Sequence, residues 1–249
     1  MQAESDPPNR AAAALLRDLP DTPQWVETRS ILLSGECRVS TDPLGSIVGQ
    51  ARWPQLAVVG RPDPDALRDA ASAAPERTEI LVPPDSEDHV GRTLPEWKRW
   101  VAVIHSLPPG VAETTPMGAS RVALLSRNRP PPLPHVPEEL RRELEEALQT
   151  RSHVAAAHVD GAPVSFCYTA SETETLWDVS IDTLAPFRRR GLALDCARFL
   201  IQHMTVHGKE PVWGSFENNQ ASLRAARSLG FRPVARILVF FRRGEEPRS

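Results

Sequence analysis

Residues Thr175 to Met204, TLWDVSIDTLAPFRRRGLALDCARFLIQHM, read as strand, turn and helix in immediate succession. Trp177, Val179, Ile181 and Thr183 alternate with Asp178, Ser180 and Asp182. That period-2 pattern, rich in β-branched and aromatic residues, marks a strand. Pro186 stops it, because proline donates nothing to a ladder. Arg188, Arg189, Arg190 and Gly191 come next, followed by apolar residues at helical spacing from Leu192 to Met204. A helix start offers unpaired backbone N–H groups and the positive end of the helix dipole. Gly191, lacking a Cβ, lets a ligand approach the backbone closely. The turn therefore suits an anion such as phosphate or pyrophosphate. The competing reading is an ordinary strand–helix corner with solvated arginines.

The spacing Arg188-x-x-Gly191-x-Ala193 resembles the Q/R-x-x-G-x-G/A signature of the GNAT superfamily of acyl-CoA-dependent N-acyltransferases. A second string, Asn219-x-x-Ser222 followed by Leu229-Gly230-Phe231, resembles that family's N-x-x-A/S motif ending in L-G-F. The surrounding order is also the family's. Val154–Val159 and Pro163–Thr169 are strands joined by the hairpin signal Asp160-Gly161. After the central strand and helix come a strand at Pro211–Phe216, a helix at Asn219–Leu229 and a buried strand at Ile237–Phe241. The resemblance covers roughly the second half of the chain.

The resemblance implies a mixed α/β fold in residues 117–249, with a central mixed sheet flanked by helices. It implies acetyl-CoA as co-substrate and an amine, small-molecule or protein, as acceptor. It also implies that the strands at Thr175–Thr183 and Pro211–Phe216 splay apart around the cofactor's pantetheine arm. On that reading the amides from Arg189 through Gly191 and Leu192 to Ala193 hold the pyrophosphate, and Arg188, Arg189 and Arg190 add charge-assisted bonds. Backbone groups of Ile181 and Thr183 pair with the pantetheine, and Asn219 helps hold the cofactor.

Acyl transfer to an amine further needs a polarised carbonyl, a base for the amine and an acid for the leaving thiolate. The acidic residues on or just before the central strand are Glu172, Glu174, Asp178 and Asp182. Asp178 is the first choice of base, since Ser180 and Asp182 share its parity; Glu174 and Asp182 are the alternatives, and a base acting through water is an equal one. A β-bulge in that strand would shift the parity and undo the choice. Many family members place a tyrosine seven residues after the motif asparagine, where this chain has Ala226. The remaining donors are Ser222 and water, or the step is unassisted. A protein that binds acyl-CoA without turning it over is thus the second reading. Cys196 reads as core, since the family uses direct attack without an acyl-enzyme.

The first half has the order strand, strand, strand, helix, strand, helix, strand, with its strands at Cys37–Thr41, Ser46–Gln50, Gln55–Gly60, Thr78–Val82 and Trp100–Ser106. The second half repeats that order from His153. Residues 1–110 are therefore either a degenerate GNAT-like unit or an unrelated small α/β domain. Their counterpart of the arginine turn is Arg61-Pro62-Asp63-Pro64-Asp65, where two carboxylates would repel a pyrophosphate and cap the helix themselves. No CoA site is expected there. Proline and glycine between Leu107 and Met117 mark the boundary. Arg129–Pro134 (RPPPLP) reads as a stiff connector, and Pro137–Gln149 as an amphipathic helix whose charges are a solvated face.

The 249 residues carry a net charge of −3, which argues against a nucleic-acid surface. No apolar run approaches membrane-spanning length. Cys37, Cys167 and Cys196 form no pattern and fit reduced thiols, so a cytoplasmic protein is expected. Only two lysines, 25 prolines and abundant alanine suggest a GC-rich, bacterial-type genome. His203 and His207 stand at i, i+4 with no third ligand in the sequence pattern, so no metal is expected.

Overall fold

The computed structural model describes residues 9–50, 54–111, 121–126, 133–150 and 153–246. Residues 129–132 of the expected connector and most of the expected boundary segment lie outside them. Two compact units divide the chain: Met1–Ile104 with Ser215–Gln220 and Val234–Ser249, and His105–Gly214 with Ala221–Pro233.

The first unit opens with helices α1 (Asn9–Asp18) and α2 (Val26–Leu33). Arg29 is buried against this pair, its Nη1 donating to the Leu16 carbonyl at 2.9 Å and also to Leu19 O. Strands β1 (Cys37–Asp42), β2 (Gly45–Gln50) and β3 (Gln55–Gly60) form an antiparallel meander. Helix α3 (Pro64–Ala73) carries the chain to β4 (Glu79–Val82), parallel to β3. Helix α4 (Glu87–Thr93) and strand β5 (Trp97–Ser106) follow. The core gathers Val58, Leu67, Ile80, Val82, Val90 and Trp97.

Strand β11 (Arg232–Arg242) completes this unit's sheet by pairing antiparallel with β4, Leu238 opposite Val82 and Phe240 opposite Ile80. Its end is held there too. Arg242 donates to the Ala71 and Ala74 carbonyls at the C-terminal end of α3, at 2.7 and 2.8 Å, and lies over the Trp97 ring. The run Ile237–Phe241 was read with residues 117–249, whereas its ladder groups it with the first unit. A continuous apolar run shows that a strand is buried but not which strand it pairs with.

The second unit has β6 (Val122–Leu124), helix α5 (Glu138–Gln149), then β7 (Val154–Val159), β8 (Ala162–Glu172) and β9 (Leu176–Thr183) in antiparallel succession. Helix α6 (Leu192–Val206) leads to β10 (Glu210–Phe216), parallel to β9, and helix α7 (Gln220–Ser228) follows. Burial of Trp177, Phe166, Leu144, Leu200, Met204 and Trp213 fixes these layers. Helix α6 packs on β7, β8 and β9, and α5 packs on β7 and β8. Successive residues of β8 point to opposite faces. Tyr168 reaches Glu143 of α5, and Cys167 lies by Cys196 of α6. Among the described residues no helix is long and apolar enough to cross a membrane.

Candidate functional site

Strand β9 ends at Thr183, a short 3-10 turn spans Ala185–Phe187, and α6 begins at Leu192. Between them Arg189 takes φ +61° and Gly191 takes φ +81°. Gly191 is the N-terminal cap of α6, and no side chain caps the helix there. A Cβ on Gly191 would meet nothing within 4 Å, so the space beside the cap is open. Arg188, Arg189 and Arg190 are all exposed around this opening. Arg188 Nε donates to the Thr183 carbonyl at 3.1 Å, which folds its guanidinium back along the turn. Arg190 lies over the Phe187 ring, 5.5 Å from its centroid. A left-handed bend, an uncapped helix start and exposed cations are the features that suit an anion, and this turn, called the cradle below, has all three.

The cradle stands at the end of a strand that parts from its neighbour. The β9–β10 register runs Leu176–Glu210, Trp177–Pro211 and Asp178–Val212, and ends there. Strand β9 continues to Thr183, with Ile181 opposite Cys167 and Thr183 opposite Ser165 on its β8 side. Ile181 and Thr183 are half-buried, and the Thr183 hydroxyl is 2.7 Å from Ser165 Oγ. The strand pair is thus zipped at Leu176–Asp178 and open towards the cradle.

Asp178 occupies the parting point, with its Oδ1 buried. The register irregularity falls on β8, where the three steps from Thr169 to Glu172 oppose the two from Val179 to Trp177. The extra residue belongs to β8, so β9 keeps its alternation and Asp178, Ser180 and Asp182 share one face. Asp182 and Tyr168 meet: the Tyr168 hydroxyl lies 3.1 Å from Asp182 Oδ2 and 3.0 Å from Glu143 Oε2. A hydroxyl has one proton, so it donates to one carboxylate at a time. Burial first, then the Asp182 and Glu143 charges, hold the Tyr168 proton far above the ordinary phenol range.

Glu174 is elsewhere. It lies exposed in the turn before β9, at the end of the strand away from Asp182 and the cradle. Glu172 pairs with Lys209 at 3.0 Å, an ion pair closing the β8 and β10 ends. Ser222 Oγ accepts from the indole N–H of Trp213 at 3.0 Å. Asn219 immediately precedes α7, its N–H bonded to the Phe216 carbonyl at 3.0 Å. Ala226 is fully buried in the core. Cys196 is buried as well. Its thiol donates to the Ser165 carbonyl at 3.4 Å, and desolvation pushes it up to about 12, so it stays a thiol.

Sequence reasoning missed Glu143 and left Tyr168 without a role. Glu143 was grouped with the solvated charges of its helix, yet it borders Leu144 on the buried stripe, and that adjacency was the available signal.

The corresponding turn of the first unit is closed by its own side chains. Asp63 caps α3, its Oδ1 accepting from the Asp65 and Ala66 amides at 3.0 Å each. The Asp63 amide in turn donates to Asp42 Oδ2 at 2.6 Å. Gly60 has φ +69°, and a Cβ there would lie 2.6 Å from the Leu44 carbonyl oxygen, so two stretches of backbone fill this corner.

A family model described as GNAT acetyltransferase matches residues 154–240, from the first residue of β7 into β11. Solved structures match nearly the whole chain. A GCN5-related N-acetyltransferase-like protein from Streptococcus suis superposes with a TM-score of 0.66 at 19% identity, over 94% of this chain and 98% of its own. The fold is that of the GNAT acetyltransferases. A GNAT-family acetyltransferase from Colwellia psychrerythraea gives a TM-score of 0.57 at 12% identity over 98% of both chains. A tandem GNAT protein from the clavulanic acid biosynthesis pathway gives 0.58 at 13% identity, over 96% of this chain and 94% of its own. No curated protein matches the sequence. Because these superpositions span the chain, the GNAT-like fold takes in the first half as well as the family-model region.

Proposed function

We propose that the protein is an acetyl-CoA-dependent N-acetyltransferase in which the amine attacks directly within a ternary complex. One observation carries this reading: the uncapped, glycine-opened start of α6, ringed by arginines, lies at the end of the strand that parts from β10. The residues fit the cofactor's chemistry, since a pyrophosphate needs unpaired amides and fixed cations, and both are present. The amides of Gly191, Leu192 and Ala193 and the guanidiniums of Arg188, Arg189 and Arg190 would hold it. Backbone groups of Ile181 and Thr183, beyond the end of the β10 register, would align the pantetheine as an added strand. Asn219 would add a contact from the start of α7.

Acetyl-CoA, when bound, supplies an activated acyl carbon and a thiolate leaving group. Asp178, at the parting point, would take the amine proton. Asp182 and Glu143 hold the Tyr168 phenol protonated, which makes it too weak an acid to protonate the thiolate and leaves it as a hydrogen-bond partner that positions Asp182. Ser222 remains the side-chain donor, with its oxygen oriented by Trp213. Glu174, exposed at the other end of β9, has the weakest placement for catalysis. The acceptor is an amine, small-molecule or protein. The first unit, whose helix start is occupied by Asp63, would bind no CoA.

Ala226 favours a second reading, a protein that binds acyl-CoA without turning it over. Both are tested by isothermal titration with acetyl-CoA, desulfo-CoA and ATP, followed by thiol release across a panel of amines. One CoA compound per chain with amine-dependent thiol release is expected. Binding without release selects the second reading. An absence of binding by either CoA compound sinks both.

A further inference from the structure

The chain has seven histidines, and the fold gathers three of them at one place. His203 is on the last turn of α6 and His207 caps its C-terminal end. His153 directly precedes β7. The His203 ring lies 4.8 Å from that of His153 and 4.6 Å from that of His207, and the His153 and His207 rings are 6.0 Å apart. His203 Nε2 and His153 Nδ1 are 3.2 Å apart. Two ligand nitrogens on a tetrahedral zinc, each at 2.0–2.1 Å, lie about 3.3 Å apart, so this pair already has the spacing of a chelate edge.

The third ring is in a ligand's tautomer. His207 Nδ1 is 2.8 Å from the His203 carbonyl oxygen. A carbonyl only accepts, so Nδ1 carries the proton and the lone pair is on Nε2. The helix end contributes too, since the negative pole of the α6 dipole favours a cation at its last turn.

We propose that His153, His203 and His207 form a binding site for a borderline divalent metal ion such as zinc, nickel or cobalt. Imidazole nitrogens select these ions over calcium or magnesium. Among the described residues no three His, Cys, Asp or Glu side chains already converge on a metal position. The site is therefore completed by rotation of the exposed His207 ring towards the His153–His203 edge, with water filling the remaining coordination. The ion takes the place of the proton between His203 Nε2 and His153 Nδ1, and that proton passes to the second nitrogen of its own imidazole or to solvent. The site lies at the opposite end of α6 from Gly191, about 20 Å away at 1.5 Å per residue. It would clamp the end of α6 to the start of β7, and it is independent of the acyl-CoA reading.

The test uses the full-length, tag-free chain, stripped with chelator and titrated with zinc by calorimetry and with cobalt by visible absorption. One ion per chain is expected, together with a rise in melting temperature on adding zinc. Affinity should fall about tenfold or more in each of His203→Ala, His153→Ala and His207→Ala, as expected when one ligand is lost. His207 is exposed, so His207→Ala should fold normally and keeps the test decisive even if His203→Ala does not. Lack of zinc binding by the unaltered chain overturns the proposal. So does binding of undiminished strength in His153→Ala and His207→Ala, which would place the ion elsewhere.

Discussion

Two turns in this molecule have the same plan, strand into helix at the end of a three-strand meander, and opposite chemistry. At α6 the cap is Gly191 in a left-handed conformation, no side chain caps the helix, and three arginines stand exposed. At α3 the cap is Asp63, whose carboxylate takes two first-turn amides. Both helices need their first N–H groups satisfied. One does so internally and gains stability. The other has no side-chain cap and leaves them to water or to a ligand. Shared architecture therefore does not imply a shared ligand; the residue at the cap decides.

The comparison breaks most visibly if the arginines are reversed. In Arg188→Glu/Arg190→Glu, acetyl-CoA affinity should fall about a hundredfold or more, since charge-assisted bonds become repulsions. Circular dichroism should show the fold unchanged, because both side chains are exposed. Retained affinity would show that the pyrophosphate lies elsewhere.

Converting one turn towards the other is a subtler probe. Gly191→Asp places a capping carboxylate where the first unit has one. Acetyl-CoA affinity should fall about tenfold, with a stability cost of about 1 kcal/mol for the left-handed backbone. Calorimetry and thermal melts separate the two effects. The reverse change, Asp63→Ala, should cost about 1 kcal/mol in chemical denaturation and leave CoA stoichiometry at one per chain. A second bound CoA in Asp63→Ala would mean that the carboxylate alone had been excluding it.

The smallest effect concerns the other end of α6. His203 has its folded-state pKa below the ordinary 6.5, through burial and then its two histidine neighbours. The folded protein thus favours the neutral ring, and the unfolded chain binds more protons. Stability from this group is present above pH 6.5 and is lost as pH falls through the lower, folded-state value. Melting temperature measured from neutral to mildly acidic pH should decline, and His203→Gln should flatten the decline.

The strand, turn and helix around Gly191 were legible because everything they need is contiguous: an alternating strand, Pro186, the arginines, Gly191 and a helical run. The same locality revealed Asp63-Pro64 as a cap. Features built by pairing were not legible. Tyr168 and Asp182 meet only because β8 and β9 pair with Tyr168 opposite Ser180, and Glu143 joins them from a helix 25 residues before the tyrosine. His153 is 50 residues from His203, so the i, i+4 histidine pair looked solitary in sequence. The bulge was anticipated as a hazard to β9, and the structure places its extra residue in β8, where it re-aims β8 and leaves Asp178 in phase. Which strand Ile237–Phe241 would pair with was equally hidden, since a wholly apolar strand suits any buried neighbour.

That last strand has a consequence in time. A ribosome finishes β1 to β5 while β11, their sheet's missing member, is more than a hundred residues from being made. Strand β4 must wait with an open edge until Leu238 and Phe240 emerge. A chain stalled or cut before β11 exposes the Ile80–Val82 edge, the kind of unpaired strand on which aggregation starts.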